Sequence, residues 1–181
     1  RSQSRQTIQA LRRLGFRTVG ILSGDHEVSA RRVAESAGLC DVWSGLKPQD
    51  KLEIIRGFQK QGHKVMFIGD GINDAPALAA ADAGIAMGAG GTDVALETAD
   101  IVLMNDDVGR IPFLVSLGRR MLKIIKINIA FGMIFNAAAV VASGAGWLTP
   151  VAGAIVHNVG SVIVVLSSAS IILMPERVAQ Q

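Results

Sequence analysis

Three short stretches carry side chains able to handle a phosphoryl group: Ser23-Gly24-Asp25, Lys47-Pro48-Gln49-Asp50-Lys51 and Gly69-Asp70-Gly71-Ile72-Asn73-Asp74. Asp70 and Asp74, placed just after an apolar run, suit a hard cation such as Mg2+, which takes a few carboxylates together with phosphate and water oxygens. The Ser23 hydroxyl and the Gly24 amide can donate to phosphate oxygens, and Lys51 offers a point charge against the negative charge that develops during phosphoryl transfer. Each stretch also has a plainer reading. Gly-Asp-Gly is an ordinary turn sequence, Asp25 can cap a helix, and Lys51 can be a solvated helix residue. Their order along the chain, and their shared position after apolar runs, favour the phosphate reading of the set.

The elements that would position these residues alternate in type. A helical pattern over Ile8, Leu11 and Leu14 ends at Gly15 and is followed by a β-rich run from Phe16 to Leu22. A second helical pattern (Val28, Val33, Ala34, Ala37) ends at Gly38, and Val42-Trp43 is a short strand candidate. Pro48 opens a helix carrying Leu52, Ile55 and Phe58, since proline is well tolerated in a first turn. Lys64–Ile68, Ile85–Met87 and Ile101–Met104 read as strands, with helices over Ala75–Ala81 and Thr92–Thr98 between them. Strands alternating with helices predict a doubly wound, mainly parallel sheet, whose ligands gather at the carboxyl ends of the strands. All three polar stretches fall there.

Charge divides the chain. Of 181 residues, 18 are Lys or Arg and 15 Asp or Glu, for a formal net charge of +3, and 31 of these 33 charges lie in residues 1–126. Residues 127–174 contain none. A water-soluble domain cannot keep 48 consecutive uncharged, mostly aliphatic residues on its surface, whereas a bilayer asks for roughly 20 apolar residues per spanning helix. The turn-rich stretch Gly144–Pro150, with an interfacial Trp147, divides the zone into expected spans of 127–145 and 151–174. Arg119, Arg120, Lys123 and Lys126 precede the first span as a headgroup-facing collar, and Arg177 follows the second. This distribution predicts an integral membrane protein with both chain ends and the polar domain in the cytoplasm, and the plasma (inner) membrane is the expected location. No block of like charges points to nucleic acid. Cys40 is the single cysteine, so no internal disulfide or Cys-x-x-Cys site is available, and a small buried hydrophobe is the expectation there. His26 and His63 are expected at the surface. Gly88-Ala-Gly-Gly91 lacks the Lys of a phosphate loop and reads as a turn leading into a helix. The opening Arg1-Ser-Gln-Ser, without an initiator Met or secretory signal, reads as cut from something longer.

Gly69-Asp-Gly-Ile-Asn-Asp-Ala-Pro-Ala-Leu78 resembles the hinge motif of P-type ATPases. Ser23-Gly-Asp25 resembles their Thr-Gly-Asp motif with the hydroxyl kept, and Lys47–Lys51 resembles the Pro-x-x-Lys element before the hinge. The likeness continues through Gly84-Ile-Ala-Met-Gly88, Thr92-Asp93, Ala99-Asp-Ile-Val-Leu103 and the hairpin, and so covers essentially the whole chain. It implies an α/β, haloacid dehalogenase-like sheet. Residues 1–106 would be the C-terminal part of the phosphorylation domain, 107–126 a basic linker helix, 127–174 a two-helix transmembrane hairpin and 175–181 a cytoplasmic tail. It further implies Mg2+ ligation by Asp70, with Asp74 as a second candidate, orientation of the phosphoryl group by Asn73 and Asp74, and phosphate contacts from Ser23, Gly24 and Lys51. The catalytic candidates are therefore Ser23, Gly24, Asp25, Lys51, Asn73 and Asp74, with Mg2+ and ATP as cofactors. The family's phosphorylated Asp-Lys-Thr-Gly-Thr motif, its Thr-Gly-Glu loop, its nucleotide domain and its earlier membrane helices have no counterpart in these 181 residues, so the chain alone is not expected to turn over ATP. The expected partners are a transition-metal ion, the bilayer and the remaining domains of the same pump.

Ending after two spans resembles the heavy-metal class. A polar residue inside a span is costly and a default transport-site candidate. Asn128, Asn136, Ser143, His157, Asn158, Ser161, Ser167, Ser168 and Ser170 qualify, the last three serines being readier helix-packing residues. Phe135-Asn136 stands where copper pumps have Tyr-Asn. His157-Asn-Val-Gly-Ser161 is closer to the His-Glu-Gly-Gly-Thr pattern of cobalt-type pumps than to the Met-x-x-Ser-Ser of copper pumps, and the zinc and cadmium pattern of a Lys and an Asp is absent. His157, Asn136, Asn158 and Ser161 are the candidate ion ligands, and imidazole with oxygen donors suits a borderline divalent ion better than Cu(I). Two rival readings are a membrane-tethered haloacid dehalogenase-type phosphatase, which also needs an upstream Asp nucleophile, and a non-catalytic membrane-anchored remnant.

Overall fold

The computed structural model describes residues 2–70, 72–88 and 93–173, in two compact units, Arg1–Pro112 and Phe113–Gln181. The expectations for Gly71, for the Gly88–Gly91 turn beyond Gly88, for Thr92, and for Met174 with the tail 175–181 lie outside the described residues.

The first unit alternates helices and parallel strands. Its elements are α1 (Ser2–Arg13), β1 (Gly20–Leu22), α2 (Glu27–Ala37), β2 (Asp41–Trp43), α3 (Pro48–Lys60), β3 (Met66–Gly69), α4 (Ala75–Ala80), β4 (Ala83–Met87), α5 (Asp93–Thr98) and β5 (Ile101–Leu103). β1 pairs with β2, and β3, β4 and β5 pair in that order, every pairing parallel. The expected parallel α/β architecture is present as two sheets. β1 covers only the end of the Phe16–Leu22 run, because its partner β2 offers three residues, in the register Gly20 to Asp41 and Leu22 to Trp43. Cys40 corrects the sequence reading: it is exposed, in the short link between Gly38 and the edge strand β2.

The core sits between helices and sheet. Ile55 of α3, Phe67 of β3 and Ala77 and Leu78 of α4 form its centre, and Leu22 of β1 and Val65 pack against it. Full burial of aliphatic side chains such as Ile55, Leu78 and Ile85 contributes about 1.5–3 kcal/mol each. Polar side chains tie the elements together around this core. Arg5 of α1 donates from Nε and Nη2 to the carbonyls of Ser36 and Glu35 and so covers the last turn of α2, where the Glu35 carbonyl also accepts from the Gly38 amide. The Asp100 carboxylate accepts from the Gly84 amide at 2.8 Å and so joins the approach to β5 to the start of β4. Asp82 accepts from Lys64 Nζ (2.7 Å), the Val65 amide (3.0 Å) and Gln59 Nε2 (3.0 Å). The lysine first, then the two amide donors, hold its carboxyl down at about 2.

The second unit is built on α6 (Ile111–Gly144), whose first two residues, Ile111 and Pro112, belong to the first unit, and α7 (Pro150–Ala169). Thr149 caps α7 by accepting from the Ala152 amide, and Pro150 occupies its first turn. The two helices meet along a seam. Gly160 is buried there because the Phe135 ring lies where a side chain would start: a Cβ on Gly160 would come within 2.6 Å of the ring. Phe135 in turn stacks on Phe131, with ring centroids 5.3 Å apart. Asn128 Nδ2 bridges the helices by donating to Ser168 Oγ at 3.0 Å and to the Val164 carbonyl at 3.5 Å. Val108–Gly144 and Pro150–Leu173 are long and apolar enough to cross a membrane.

Candidate functional site

In the first unit the residues singled out from the sequence stand at the carboxyl ends of β1 and β3 and at the start of α3. Ser23 follows β1 directly; its amide donates to the Trp43 carbonyl, and its hydroxyl donates to Asp25 Oδ2 (3.2 Å) and accepts from the Asp25 amide (3.1 Å). Asp25 therefore closes a tight turn on Ser23 and does not cap α2, whose cap position is His26. The turn is held further by Leu46 N–H donating to the Ser23 carbonyl and Gly45 N–H to the Asp25 carbonyl. Those bonds bring the segment leading into α3 against the turn.

α3 begins at Pro48, with Asp50 accepting from the Lys47 amide at 2.8 Å, which satisfies a donor the helix leaves open. That capping places Lys51 in the first turn. Its Nζ reaches Asp74 Oδ1 at 2.6 Å, with both side chains nearly buried, at 13% and 12% exposure. Asp74 ends the 3-10 turn Ile72–Asp74 that leads into α4, and its side chain folds back over the end of β3. The space for it comes from Gly69, where a Cβ would stand 2.7 Å from the Asp74 Cβ. Proximity of charge and carboxylate at this point depends on that missing side chain. Asp70 and Asn73 are exposed beside the pair. The structure therefore brings Lys51 and Asp74 into contact and leaves Asp70 and Asn73 open to an incoming group. Among the described residues there is no group of three or more His, Cys, Asp and Glu that could hold a metal by themselves. One free carboxylate beside another already neutralised by lysine fits Mg2+, which keeps waters and borrows phosphate oxygens, better than a cation needing a full protein cage.

In the second unit His157, Asn158, Ser161 and Asn136 are all exposed, off the seam that Gly160 and Asn128 occupy. The Ser161 hydroxyl donates back to the His157 carbonyl at 3.1 Å. The Ser170 hydroxyl donates to the Ser167 carbonyl, and the Ser168 hydroxyl accepts from Asn128, so the side chains of Ser168 and Ser170 serve the helices themselves. Sequence reasoning placed Asn128 with the transport candidates; its partner, 40 residues on, makes it an interhelical tie. Its spacing of seven residues from Phe135 was the available signal.

Residues 1–82 match the haloacid dehalogenase-like hydrolase family. The zinc-exporting P-type ATPase of Mycobacterium marinum is 45% identical over 95% of this chain and 24% of its own length, and the manganese-exporting P-type ATPase of Mycobacterium leprae is 43% identical over the same shares. The crystal structure of a zinc-transporting PIB-type ATPase in the E2.Pi state superposes over 94% of this chain and 28% of its own, with a TM-score of 0.84 at 31% identity. Over nearly its whole length the chain is similar to P-type ATPases named as exporters of heavy-metal ions. It spans about a quarter of the length of the curated relatives it matches. The fold match includes both the haloacid dehalogenase-like unit and the two apolar helices, as the residue motifs imply. P-type ATPases with a haloacid dehalogenase-like unit use Mg2+ and ATP in general, and the likeness to membrane P-type ATPases together with the two apolar helices supports a membrane protein.

Proposed function

We propose that the chain is the hinge-and-hairpin part of an ATP-driven exporter of a transition-metal ion, working through an aspartyl-phosphate. The observation that carries this reading is the Lys51–Asp74 pair, which joins the Pro-x-x-Lys and hinge elements at the end of β3 at 2.6 Å. Lysine held there by a carboxylate keeps its charge aimed at one place without blocking the exposed Asp70. Asp70 would hold Mg2+, with Asp74 as the further carboxylate; the ion would supply electrophilic stabilisation of the transferring phosphoryl group. Ser23 and the Gly24 amide would donate to phosphate oxygens, with Asp25 fixing the Ser23 hydroxyl, and Asn73 would orient the phosphoryl group. Each of β1 and β3 has one edge without a strand partner among the described residues. A strand delivering the phosphorylated Asp between them would set that carboxylate near Ser23 and Asp70 alike. The nucleotide, the phosphorylated Asp and the other membrane helices come from further parts of the same pump, so residues 1–181 by themselves do not turn over.

The hairpin would lie in the plasma (inner) membrane with the α/β unit and both ends in the cytoplasm. His157, Asn136, Asn158 and Ser161, exposed on the hairpin, would face the other helices and contribute imidazole and oxygen donors to the ion, a set that suits a divalent ion better than Cu(I). The two relatives exporting zinc and manganese agree with a divalent cargo. The test is phosphoenzyme formation in the full-length pump. Asp70→Asn is expected to abolish labelling from radioactive ATP while the protein still inserts in membranes, and labelling equal to wild type removes Asp70 from the Mg2+-binding role.

A further inference from the structure

Arg119, Arg120, Lys123 and Lys126 are exposed on α6, and no Asp or Glu occurs anywhere between residues 108 and 175 to neutralise them. At about 100° per helical residue, Arg119, Lys123 and Lys126 fall within an arc of about 60°, and Arg120 widens it to about 120°. Asn128 and Phe135, which face α7, lie roughly 120–140° from the centre of that arc. The basic stripe therefore points away from the partner helix. Beside it, between stripe and seam, run the exposed apolar side chains of Met121, Leu122, Ile125 and Ile129. Lys126 is the last charge before the uncharged stretch, and Arg119 is about 10 Å further along the axis. Four cations at headgroup depth, flanked on the same helix by apolar surface running toward the bilayer core, match both parts of a phospholipid: a charged phosphate head and an acyl chain.

We infer that this face of α6 is a binding site for an anionic phospholipid, one that holds the lipid by its phosphate and a negatively charged headgroup. The inference rests on the membrane reading above, and it adds a preference among lipids that the reading does not require. Arg119 and Arg120 can each present a bidentate fork to phosphate, while Lys123 and Lys126 act as point charges whose stems lie along the apolar flank. A zwitterionic lipid offers the same phosphate but places its own cation against the stripe.

The test uses the 181-residue chain in vesicles of phosphatidylcholine with a minor fraction of phosphatidylglycerol, and reads the association of spin-labelled forms of the two lipids with the protein. Phosphatidylglycerol should associate roughly 3- to 5-fold more strongly than phosphatidylcholine, and raising salt should reduce that ratio. Replacing all four cations by Gln should bring the ratio close to one. Because neutral variants can insert in the wrong orientation, the charge-keeping set R119K, R120K, K123R and K126R is made beside them and should retain most of the preference. Equal association of both lipids with an inserted wild-type chain overturns the site, as does a Gln variant that keeps the preference. Loss of the preference on adding inorganic phosphate at equal ionic strength also overturns it, since the stripe would then be a phosphate-ion site. A chain that does not insert at all overturns the membrane reading itself, an outcome distinguishable from the others by flotation.

Discussion

The two units of this chain treat their polar side chains in opposite ways. In the α/β unit charged groups meet across long stretches of sequence: Lys51 reaches Asp74, Lys64 and Gln59 reach Asp82, and Asp100 reaches Gly84. Short strands and helices leave many backbone and side-chain groups to be satisfied by other elements, so folding itself gathers charge at the strand ends. In the hairpin the backbone is satisfied inside each helix, so among the described residues Asn128 alone bridges the two, to Ser168 and the Val164 carbonyl, and His157, Asn158 and Asn136 stay exposed. The comparison separates chemistry prepared by the fold of a unit from chemistry that waits for neighbours.

The largest effect is expected where the α/β unit has buried its charge. Lys51→Met leaves the Asp74 side chain, 12% exposed, without its cation and should cost about 2–3 kcal/mol, at or just below the lower end for a broken buried pair because slight water contact remains. Urea unfolding followed by Trp43 fluorescence, in a Trp147→Phe background, reads this unit. The double variant with Asp74→Asn should recover a good part of the loss, since no charge is then stranded. If the single variant is as stable as the parent, the pair belongs to the solvated surface and the contrast between the units weakens.

The hairpin is held by shape, so a shape change should be its most damaging one. Gly160→Leu would place a branched side chain where the Phe135 ring already lies 2.6 Å from the Cβ position, at a cost of about 1–3 kcal/mol for overpacking. An SDS titration read by energy transfer between dyes on the two helix ends should show separation at a lower SDS fraction. The same substitution should leave the Trp43 unfolding curve of the α/β unit where it was. A shift in that curve with no change in the hairpin would reverse the assignment of Gly160.

What the sequence disclosed follows the same contrast. Alternating apolar runs and glycine stops located nearly every helix and strand, and the three motifs stand at the ends of β1 and β3 and the start of α3 as their order along the chain suggests, because both depend on residues close in sequence. β1 came out shorter than its β-rich run because its length is set by β2, a distant partner. Cys40 came out exposed because burial depends on what covers an edge strand, which a cysteine's usual preference cannot foretell. The motif residues Lys51 and Asp74 were each visible, but their ion pair across 23 residues was not. Asn128 was visible as polar in an apolar span; only the packing of α7 shows that it ties the helices together. Gly160 and Gly69 look alike in sequence and differ in what crowds them, an aromatic ring in one case and a carboxylate side chain in the other.

The smallest expected effect tests whether exposed charge in the α/β unit is also organised by its fold. Asp82 has its carboxyl lowered from the usual 3.8 to about 2, chiefly by the hydrogen bond from Lys64 and then by those from the Val65 amide and Gln59. A depressed carboxylate contributes stability that is fully present above its unfolded value, near 3.8, and is lost as the pH falls through its folded value, near 2. Asp82→Asn should therefore lower the urea midpoint of the Trp43 transition by a constant amount at neutral and mildly acidic pH. That difference should shrink once the pH passes below about 4 and be mostly gone near 2. Lys64 is 87% exposed, so salt should weaken its share, while the bond from the Val65 amide is indifferent to salt. A difference that persists undiminished in acid would mean that the geometry of the acceptor, and not its charge, fixes the loop between α4 and β4, and the exposed polar groups of this unit would then resemble those of the hairpin after all.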